Sequence, residues 1–189
     1  MQWNNHFEIA DDEHAVLSGS NYHWTNYDDE KMIRTYKNGQ AKEIGTELHD
    51  WAAIAIKLNR KQPRNQDTIN MYINDALKFD MRPEQHLVYD RTIAHGKADA
   101  ICFDENKNLL RIHDLKTGET PANMRQLMIY AAYFCLEYGY DPNIIDIELR
   151  IYQSNEIAVY KPIPQEIIDI MNKTVHFTDL IWQIRRGEL

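Results

Sequence analysis

The chain has 189 residues, a length that favours one domain, and 43% of them are hydrophobic. No apolar run approaches the roughly 20 residues of a membrane-spanning helix, and the N-terminus lacks a basic start and an apolar block, so we expect neither a membrane segment nor secretion. Two cysteines cannot supply a four-ligand zinc site or iron–sulfur cluster, and we expect Cys102 and Cys135 to be buried free thiols of a cytoplasmic protein.

The formal net charge of −8 argues against a basic surface over the whole molecule. The charge is unevenly distributed, because residues 31–64 contain eight basic and three acidic residues. This composition suits a local DNA-facing surface or an ordinary solvated helix, and charge alone does not choose between them.

The N-terminal residues are predicted to form an arm followed by helix. Residues 1–13 are polar and acidic, which is typical of a frayed lead-in, so residues 14–189 are the predicted domain. Acidic residues at 28–30 favour the positive end of a helix, which predicts a helix start there.

A longer helix is predicted over residues 41–58, where apolar side chains recur at helical spacing. Gly45 within it costs about 1 kcal/mol relative to alanine, which indicates a close approach of another backbone or side chain. A loop over 60–66, containing a proline, and a second amphipathic helix over 67–79 follow.

The pattern then changes to short alternating segments typical of strands. A helix is expected between the third and fourth strands, with Pro121 near its first turn and Gly139 at its end, and Pro164 opens a final helix that reaches about residue 186. This order predicts an α/β protein with a mixed central β-sheet flanked by helices. The predicted strands cover residues 85–93, 97–103, 109–116, 144–152 and 156–160.

Charged residues stand at one end of the predicted hairpin formed by the second and third strands. Side chains alternate along a strand, so Asp114 and Lys116 share one face while Leu115 points into the core. In the simplest register Asp99 joins the two charged residues. Two carboxylates and an ammonium group are then expected to converge at the end of the sheet.

Such a trio has two readings. Carboxylate oxygens suit Mg²⁺ or Mn²⁺, an ion there can activate water and neutralise phosphoryl charge, and a neighbouring lysine can stabilise developing charge. In the alternative reading the strand faces solvent, and Asp114 and Lys116 form a surface pair worth under about 1 kcal/mol. The trio alone leaves both readings open.

Three further residues are weak signals when each is taken alone. His49 lies on the long first helix, where a lone histidine is commonly a surface residue or a satisfied core residue. Gln126 and Tyr130 are four residues apart on the helix predicted between the third and fourth strands, so they lie on one face of it. Half-buried packing is the ordinary explanation for a tyrosine in that position.

Taken in order, these motifs resemble a known family. The succession Gly45…His49, Gly96-x-x-Asp99, Asp114-Leu-Lys-Thr-Gly and Gln126-x-x-x-Tyr is similar to the RecB-like branch of the PD-(D/E)XK nuclease superfamily, closest to its phage-encoded exonucleases. The resemblance covers about residues 14–138. It implies a restriction-endonuclease-like core and metal-assisted hydrolysis of phosphodiester bonds in DNA.

The resemblance also implies roles for individual residues. Asp99 and Asp114, with the Leu115 carbonyl, would bind one or two Mg²⁺ or Mn²⁺ ions, and His49 would be a further metal ligand. Lys116 would be the catalytic lysine that places the attacking water. Gln126 and Tyr130 would support that lysine or touch the DNA strand. Glu47 would be an auxiliary acid.

The chain departs from the family pattern in two respects. The second acid is Asp114, where many relatives have glutamate, and its shorter side chain should still bind a metal ion. The four-cysteine cluster of some relatives is absent, so the resemblance implies no iron–sulfur requirement. The basic residues expected to hold the DNA backbone are Lys57, Arg60, Lys61 and Arg64.

The expected activity is that of a metal-dependent exonuclease on linear DNA in phage recombination or replication, in the cytoplasm of the host cell. The alternatives are a non-catalytic DNA- or protein-binding module on a nuclease fold and a structure-selective endonuclease. Because an acidic protomer should hold DNA poorly at moderate salt, a homo-oligomer or a partner such as a single-strand annealing protein is also expected.

Overall fold

The computed structural model describes Leu17, residues 19–118 and residues 120–189 of the chain. The predicted arm at residues 1–13 lies outside the described residues. Four helices and five strands follow a short 3-10 helix, Gly19–Asn26, and the helices pack beside a single sheet. The elements are α1 (Asp29–Lys57), α2 (Thr68–Lys78), β1 (Arg82–Asp90), β2 (Ala94–Asp104), β3 (Leu109–Leu115), α3 (Arg125–Tyr138), β4 (Asp146–Gln153), β5 (Glu156–Tyr160) and α4 (Pro164–Arg185).

The strands form a mixed sheet in the order β1-β2-β3-β4-β5. All neighbours are antiparallel except β3 and β4, which are parallel and are connected through α3. Because β3 and β4 run in the same direction, their C-terminal ends lie at the same edge of the sheet. The predicted class, α/β with a mixed sheet flanked by helices, is confirmed.

The sheet buries a different apolar cluster on each face. One cluster joins the strands to α3 and α4, with Leu127 and Ile167 completely buried. The other joins them to α2 and the second half of α1, with Tyr72 and Ile73 at its centre. Helices therefore pack on both faces of the sheet.

The chain divides into two compact units, Met1–Ile44 and Gly45–Leu189, and the boundary falls within α1. In the first unit Asp28 caps α1, because its Oδ1 accepts a hydrogen bond of 2.7 Å from the Lys31 N–H. All five strands belong to the second unit. The prediction of one domain over residues 14–189 stays a prediction.

The predicted start at the acidic residues is correct, but the prediction of a separate helix over 41–58 is wrong, because α1 is continuous from Asp29 to Lys57. The predicted start of the helix between the third and fourth strands is also wrong, since α3 begins at Arg125 rather than near Pro121. The Gln153 side chain accepts a hydrogen bond of 3.1 Å from the Ala122 N–H, which holds that stretch outside the helix.

The first strand lies three residues earlier than predicted, at Arg82–Asp90. It ends there because the Asp90 carboxylate accepts hydrogen bonds from the N–H groups of Thr92 and Ile93, which closes a turn. The predicted turn at Ser154 and Asn155 is confirmed, and both residues have positive φ.

Both cysteines are free thiols, as expected. Cys135 is buried in the α3 core, but Cys102 is only half-buried, so the prediction of two buried thiols is wrong for Cys102. Within the described residues no helix combines the length and the apolar character needed to cross a membrane.

Candidate active site

The candidate site begins where the pairing of β2 with β3 ends. The last paired residues are Ala100 and His113, after which the ladder is interrupted. The Oδ2 atom of Asp99 accepts a hydrogen bond of 3.0 Å from the Leu115 N–H, so a carboxylate replaces the next carbonyl of the ladder. Leu115 points into the core and is 1% exposed, as predicted.

Asp114 is the most enclosed charged residue of this region, with a relative exposure of 2%. The Lys116 ammonium group lies 2.9 Å from its Oδ2 and donates a hydrogen bond of 3.1 Å to its Oδ1. Oδ2 itself has no aligned hydrogen-bond donor among the described residues. The alternative of a solvent-facing surface pair is therefore wrong, because the carboxylate lies in the interior.

Burial and the neighbouring Asp99 carboxylate raise the pKa of Asp114 to about 6, against the opposing effect of Lys116. The two carboxylates also act on a neighbour in the core, since burial and the charges of Asp99 and Asp114 raise the pKa of Tyr72. The site therefore carries more negative charge than its surroundings compensate.

The first helix brings His49 to this cluster. Its Nδ1 lies 3.3 Å from Asp99 Oδ2, and this contact raises the pKa of His49 although partial burial opposes the shift. Gly45, one turn earlier, permits the approach, because a Cβ atom there would lie 2.7 Å from the Thr117 hydroxyl. The close contact predicted from Gly45 is confirmed. We name His49, Asp99, Asp114 and Lys116 the acid cluster.

Helix α3 supports Lys116 from the other side. The Lys116 ammonium donates a hydrogen bond of 3.0 Å to Gln126 Oε1, and Gln126 Nε2 donates one of 2.9 Å to the Tyr130 hydroxyl. The Tyr130 ring lies over Gly96, where a Cβ atom would approach its Cε1 to 2.6 Å. Direct contacts thus join His49 to Asp99, and Asp114 through Lys116 and Gln126 to Tyr130. The Leu115 N–H, bonded to Asp99, links the two sets at one edge of the sheet.

The acid cluster contains the donors that a hard divalent ion prefers, namely two carboxylates, with the imidazole of His49 beside them. The buried Oδ2 of Asp114 lies 2.9 Å from the Lys116 ammonium but has no aligned hydrogen bond, so a bound cation could also use it as a ligand. However, no group of three or more histidine, cysteine, aspartate or glutamate side chains has metal-binding geometry in the part of the chain that the structure describes. Binding of Mg²⁺ or Mn²⁺, with His49 and the Leu115 carbonyl as ligands, stays a prediction.

Glu47, the predicted auxiliary acid, is not brought to this cluster. It is exposed on α1. Two residues along an α-helix turn by about 200°, so Glu47 lies on roughly the opposite side of α1 from His49.

The four basic residues predicted to bind DNA are all exposed, which suits that role. They are not part of the acid cluster, because Lys57 lies eight residues beyond His49, about 12 Å further along α1. Lys61 and Arg64 line a cavity of about 520 Å³ together with Lys78, which the sequence did not single out. DNA binding by these residues stays a prediction.

Two residues that the sequence reasoning missed shape the entrance to the site. Thr117 packs on Gly45, and Gln153 donates hydrogen bonds of 2.5 Å and 2.8 Å to the carbonyl oxygens of Gly118 and Thr120. The parallel pairing of β3 with β4, which ends at Leu115 and Tyr152, brings Gln153 beside this loop. A groove of about 290 Å³ beside Lys116 is lined by Leu48, Thr68, Ile69, Leu115, Thr117, Gly118 and Ser154.

Comparisons with protein-family models, with curated proteins and with solved structures give no match for this chain.

Proposed function

We propose that this chain is a divalent-metal-dependent deoxyribonuclease with a restriction-endonuclease-like core, and that it acts as an exonuclease on linear DNA. The observation that carries the proposal is the buried Asp114 carboxylate, which lies near Asp99, is paired with Lys116, and has no aligned hydrogen bond to its Oδ2. Burying two neighbouring carboxylates costs free energy that one half-exposed lysine offsets only in part, so their proximity is better explained by a bound cation than by stability.

In this proposal Asp99 and Asp114 hold the ion, and His49 orients Asp99 through its 3.3 Å contact or binds the ion directly. A divalent ion bound there would acidify the attacking water and neutralise charge on the scissile phosphate. Because the pKa of Asp114 is about 6 without an ion, its carboxylate is available for binding above that pH.

Lys116 is the residue proposed to act on the reacting atoms. Its ammonium donates to Asp114 Oδ1 and Gln126 Oε1, which leaves one of its three protons for a water molecule or a phosphoryl oxygen. The Gln126 amide is in turn held by Tyr130, so the lysine is positioned before substrate arrives. Gln126 and Tyr130 are positioning residues in this scheme.

The resemblance to phage exonucleases, rather than a geometric feature, favours exonuclease action in recombination or replication in a host cell. A homo-oligomer or a single-strand annealing protein would supply the hold on DNA that an acidic protomer lacks. Lys57, Arg60, Lys61 and Arg64 are proposed to contact the DNA backbone, joined by Lys78, which lines the same cavity as Lys61 and Arg64.

The proposal is tested by incubating the protein with linear duplex, closed circular and branched DNA in Mg²⁺, Mn²⁺ or EDTA. Degradation of linear DNA in either metal, and none in EDTA, is expected. Asp114→Ala should abolish it, whereas Asp104→Ala should not, because Asp104 is an acid of the same hairpin that pairs with Lys107 outside the site. Cleavage of circular or branched DNA instead would identify a structure-selective endonuclease.

The second candidate is a binding module that keeps the fold without the reaction. It is favoured by the absence of a preformed three-ligand group among the described residues and by the ammonium of Lys116 already lying against Asp114. Retention of DNA or a protein partner without cleavage of any substrate in either metal would establish this alternative.

A further inference from the structure

A second cavity lies away from the acid cluster and has an aromatic lining. It measures about 310 Å³ and lies among β1, β2 and the C-terminal end of α3. Leu87 and Ile101 form its apolar part. Four aromatic residues line it, namely Phe103, Phe134, Tyr138 and Tyr140.

These rings are held in place by one another. Gly139 has a φ of 72°, which ends α3 and reverses the chain, so that Tyr140 stacks on Phe134 with the ring planes 11° apart and the centroids separated by 5.3 Å. Phe103 contacts Tyr140 at 4.5 Å. Tyr138 contacts Phe134 at 5.0 Å and stays 52% exposed, so a ring face remains open to a ligand.

The same cavity is also lined by polar groups that make few or no hydrogen bonds within the protein. Neither the Arg82 nor the Glu105 side chain takes part in an ion pair or hydrogen bond within the described ranges. Gln85 uses its amide nitrogen on the His86 carbonyl at 2.8 Å, which leaves its amide oxygen as an acceptor. A cation, a carboxylate and an amide oxygen thus border an aromatic surface.

We propose that this cavity binds a single nucleobase. Aromatic side chains offer faces on which a planar base stacks, and stacking tolerates every base. Carboxylate and amide oxygens accept hydrogen bonds from the amino groups at a base edge, and the guanidinium donates to ring nitrogen and carbonyl oxygen. The volume lies at the lower end of the range for ligand pockets, which suits one ring system rather than a peptide segment.

The cavity lies at a distance from Lys116 that a DNA strand bound at the acid cluster could span. This step rests on the proposed nuclease function. Tyr138 lies eight residues beyond Tyr130 on α3, about 12 Å, and Phe103 lies four residues beyond Asp99 on β2, about 13 Å. Stacked nucleotides rise about 3.4 Å each. A strand whose phosphate lies at Lys116 would therefore place a base about four nucleotides away in the cavity.

The test uses single-stranded oligonucleotides carrying 2-aminopurine at the fourth position from one end, in EDTA so that no cleavage interferes. Stacking in the cavity should quench the base, and dAMP should compete. Tyr138→Ala is expected to weaken binding about 10-fold. Tyr138→Phe should retain it, and Tyr36→Ala, a comparably exposed tyrosine on α1, is the matched control.

A second variant protects the test against a folding defect. Arg82→Ala should weaken binding while Arg91→Ala, an exposed arginine beyond the same strand, should not. Equal affinities for dAMP and the oligonucleotide would identify a free nucleotide as the ligand, and tighter binding of the oligonucleotide would identify a base of a strand; both support the site.

Unchanged affinity in both Tyr138→Ala and Arg82→Ala would overturn the proposal. So would N-acetyltryptophanamide binding as tightly as dAMP, because the cavity would then accept an aromatic side chain of a protein partner. These outcomes are separate from the proposed function, since cleavage of DNA in Mg²⁺ is lost with Asp114→Ala whether or not a base binds 12 Å or more away.

Discussion

His113 and Asp114 are adjacent on β3, yet they belong to two differently organised polar groups. Asp114 lies in the acid cluster, whereas His113 lies in a second group, the arginine cluster, on the α2 side of the sheet. The arginine cluster consists of two arginines and two acids, with a histidine, a tyrosine and a phenylalanine around them: Asp75, Phe79, Arg111, His113, Glu148, Arg150 and Tyr152.

The arginine cluster satisfies its own charges. Arg150 reaches Asp75 at 2.8 Å and Glu148 at 2.9 Å, and Arg111 reaches Glu148 at 3.3 Å. Tyr152 donates to Asp75, so the neighbouring His113 Nδ1 must carry the proton of their 3.3 Å contact. The two arginine cations balance the two carboxylates, although the buried Nε2 of His113 has no hydrogen-bond partner among the described residues.

The acid cluster does not balance in the same way. Two carboxylates face one lysine and one histidine, and burial with the Asp99 charge raises the pKa of Asp114 to about 6. A buried polar atom without a hydrogen-bond partner does not mark a functional site, because each group contains one. The distinguishing property is that the acid cluster has a second carboxylate without an arginine to balance it.

The largest expected effect is loss of catalysis when the acid cluster is changed. Lys116→Met should reduce DNA cleavage by at least about 100-fold, because it removes the donor proposed to stabilise developing charge. Lys107→Met, which breaks the Lys107–Asp104 pair in the turn of the same hairpin, is the control and should leave the rate unchanged. Rates on linear duplex DNA in Mg²⁺ would measure this, and equal rates in the two variants would contradict the role of Lys116.

Stability should respond in opposite directions in the two groups. At pH 8 without metal, Asp114→Asn is expected to raise the free energy of unfolding by about 3 kcal/mol, because the charged carboxylate is disfavoured at every pH above its raised pKa of about 6. Asp75→Asn should lower it by roughly 1–2 kcal/mol, because Arg150 and Tyr152 lose a charged acceptor. Denaturant unfolding measures both changes, and a destabilised Asp114→Asn variant would mean that the carboxylate serves the fold.

The arginine cluster should also make the protein sensitive to acid. Burial, with the charges of Arg150 and Arg111, lowers the pKa of His113 to about 3, so the unfolded chain binds a proton near pH 6.5 that the folded chain refuses. The His113 contribution to the free energy of unfolding is complete above pH 6.5 and should fall by about 2 kcal/mol between pH 7 and pH 5. Protonation of Asp114, whose folded pKa is about 6, acts in the opposite direction over the same range, so the effect of His113 is read from the difference between wild type and variant.

His113→Gln should remove that slope, whereas His176→Gln, on the exposed surface of α4, should retain it. Thermal unfolding at several pH values would compare the three proteins. Parallel pH curves for the wild type and His113→Gln would exclude His113 as the source.

The smallest expected effect concerns the approach of α1 to the acid cluster. Gly45→Ala adds helix propensity, but its Cβ would lie 2.7 Å from the Thr117 hydroxyl, so the single variant should be no more stable than the wild type. In a Thr117→Ala background the same change should stabilise by about 1 kcal/mol, since the next nearest contact is 3.8 Å. Additive changes in a double-mutant cycle would show that the two residues do not touch.

The local patterns were sufficient to predict most elements of this fold. Alternating residues identified all five strands, and Gly139 and Pro164 correctly placed the end of α3 and the start of α4. The two larger errors have different physical causes. Gly39 lowers the helix propensity of its stretch but does not interrupt α1, whereas a distant side chain, Gln153, binds the Ala122 N–H ahead of the start of α3.

The site was predictable to a similar extent. Six residues selected from the sequence lie at one edge of the sheet, where hydrogen bonds and ion pairs link them directly or through the Leu115 backbone: His49, Asp99, Asp114, Lys116, Gln126 and Tyr130. Glu47 lies on roughly the opposite side of α1 from His49, and its auxiliary role stays a prediction. The sequence assigned no role to Thr117 or Gln153, because their contacts join elements that meet only after folding.

By itself, therefore, the sequence determined the order and type of the elements and the chemical identity of the candidate site, because periodicity and turn residues act over short stretches of chain. The tertiary structure alone decided that Asp114 is buried while Lys61 and Arg64 are exposed, and that four aromatic residues enclose a cavity. Burial and charge balance depend on which distant segments pack together, and those contacts convert an ordinary Asp-x-Lys pair into a buried ion pair with a second carboxylate nearby.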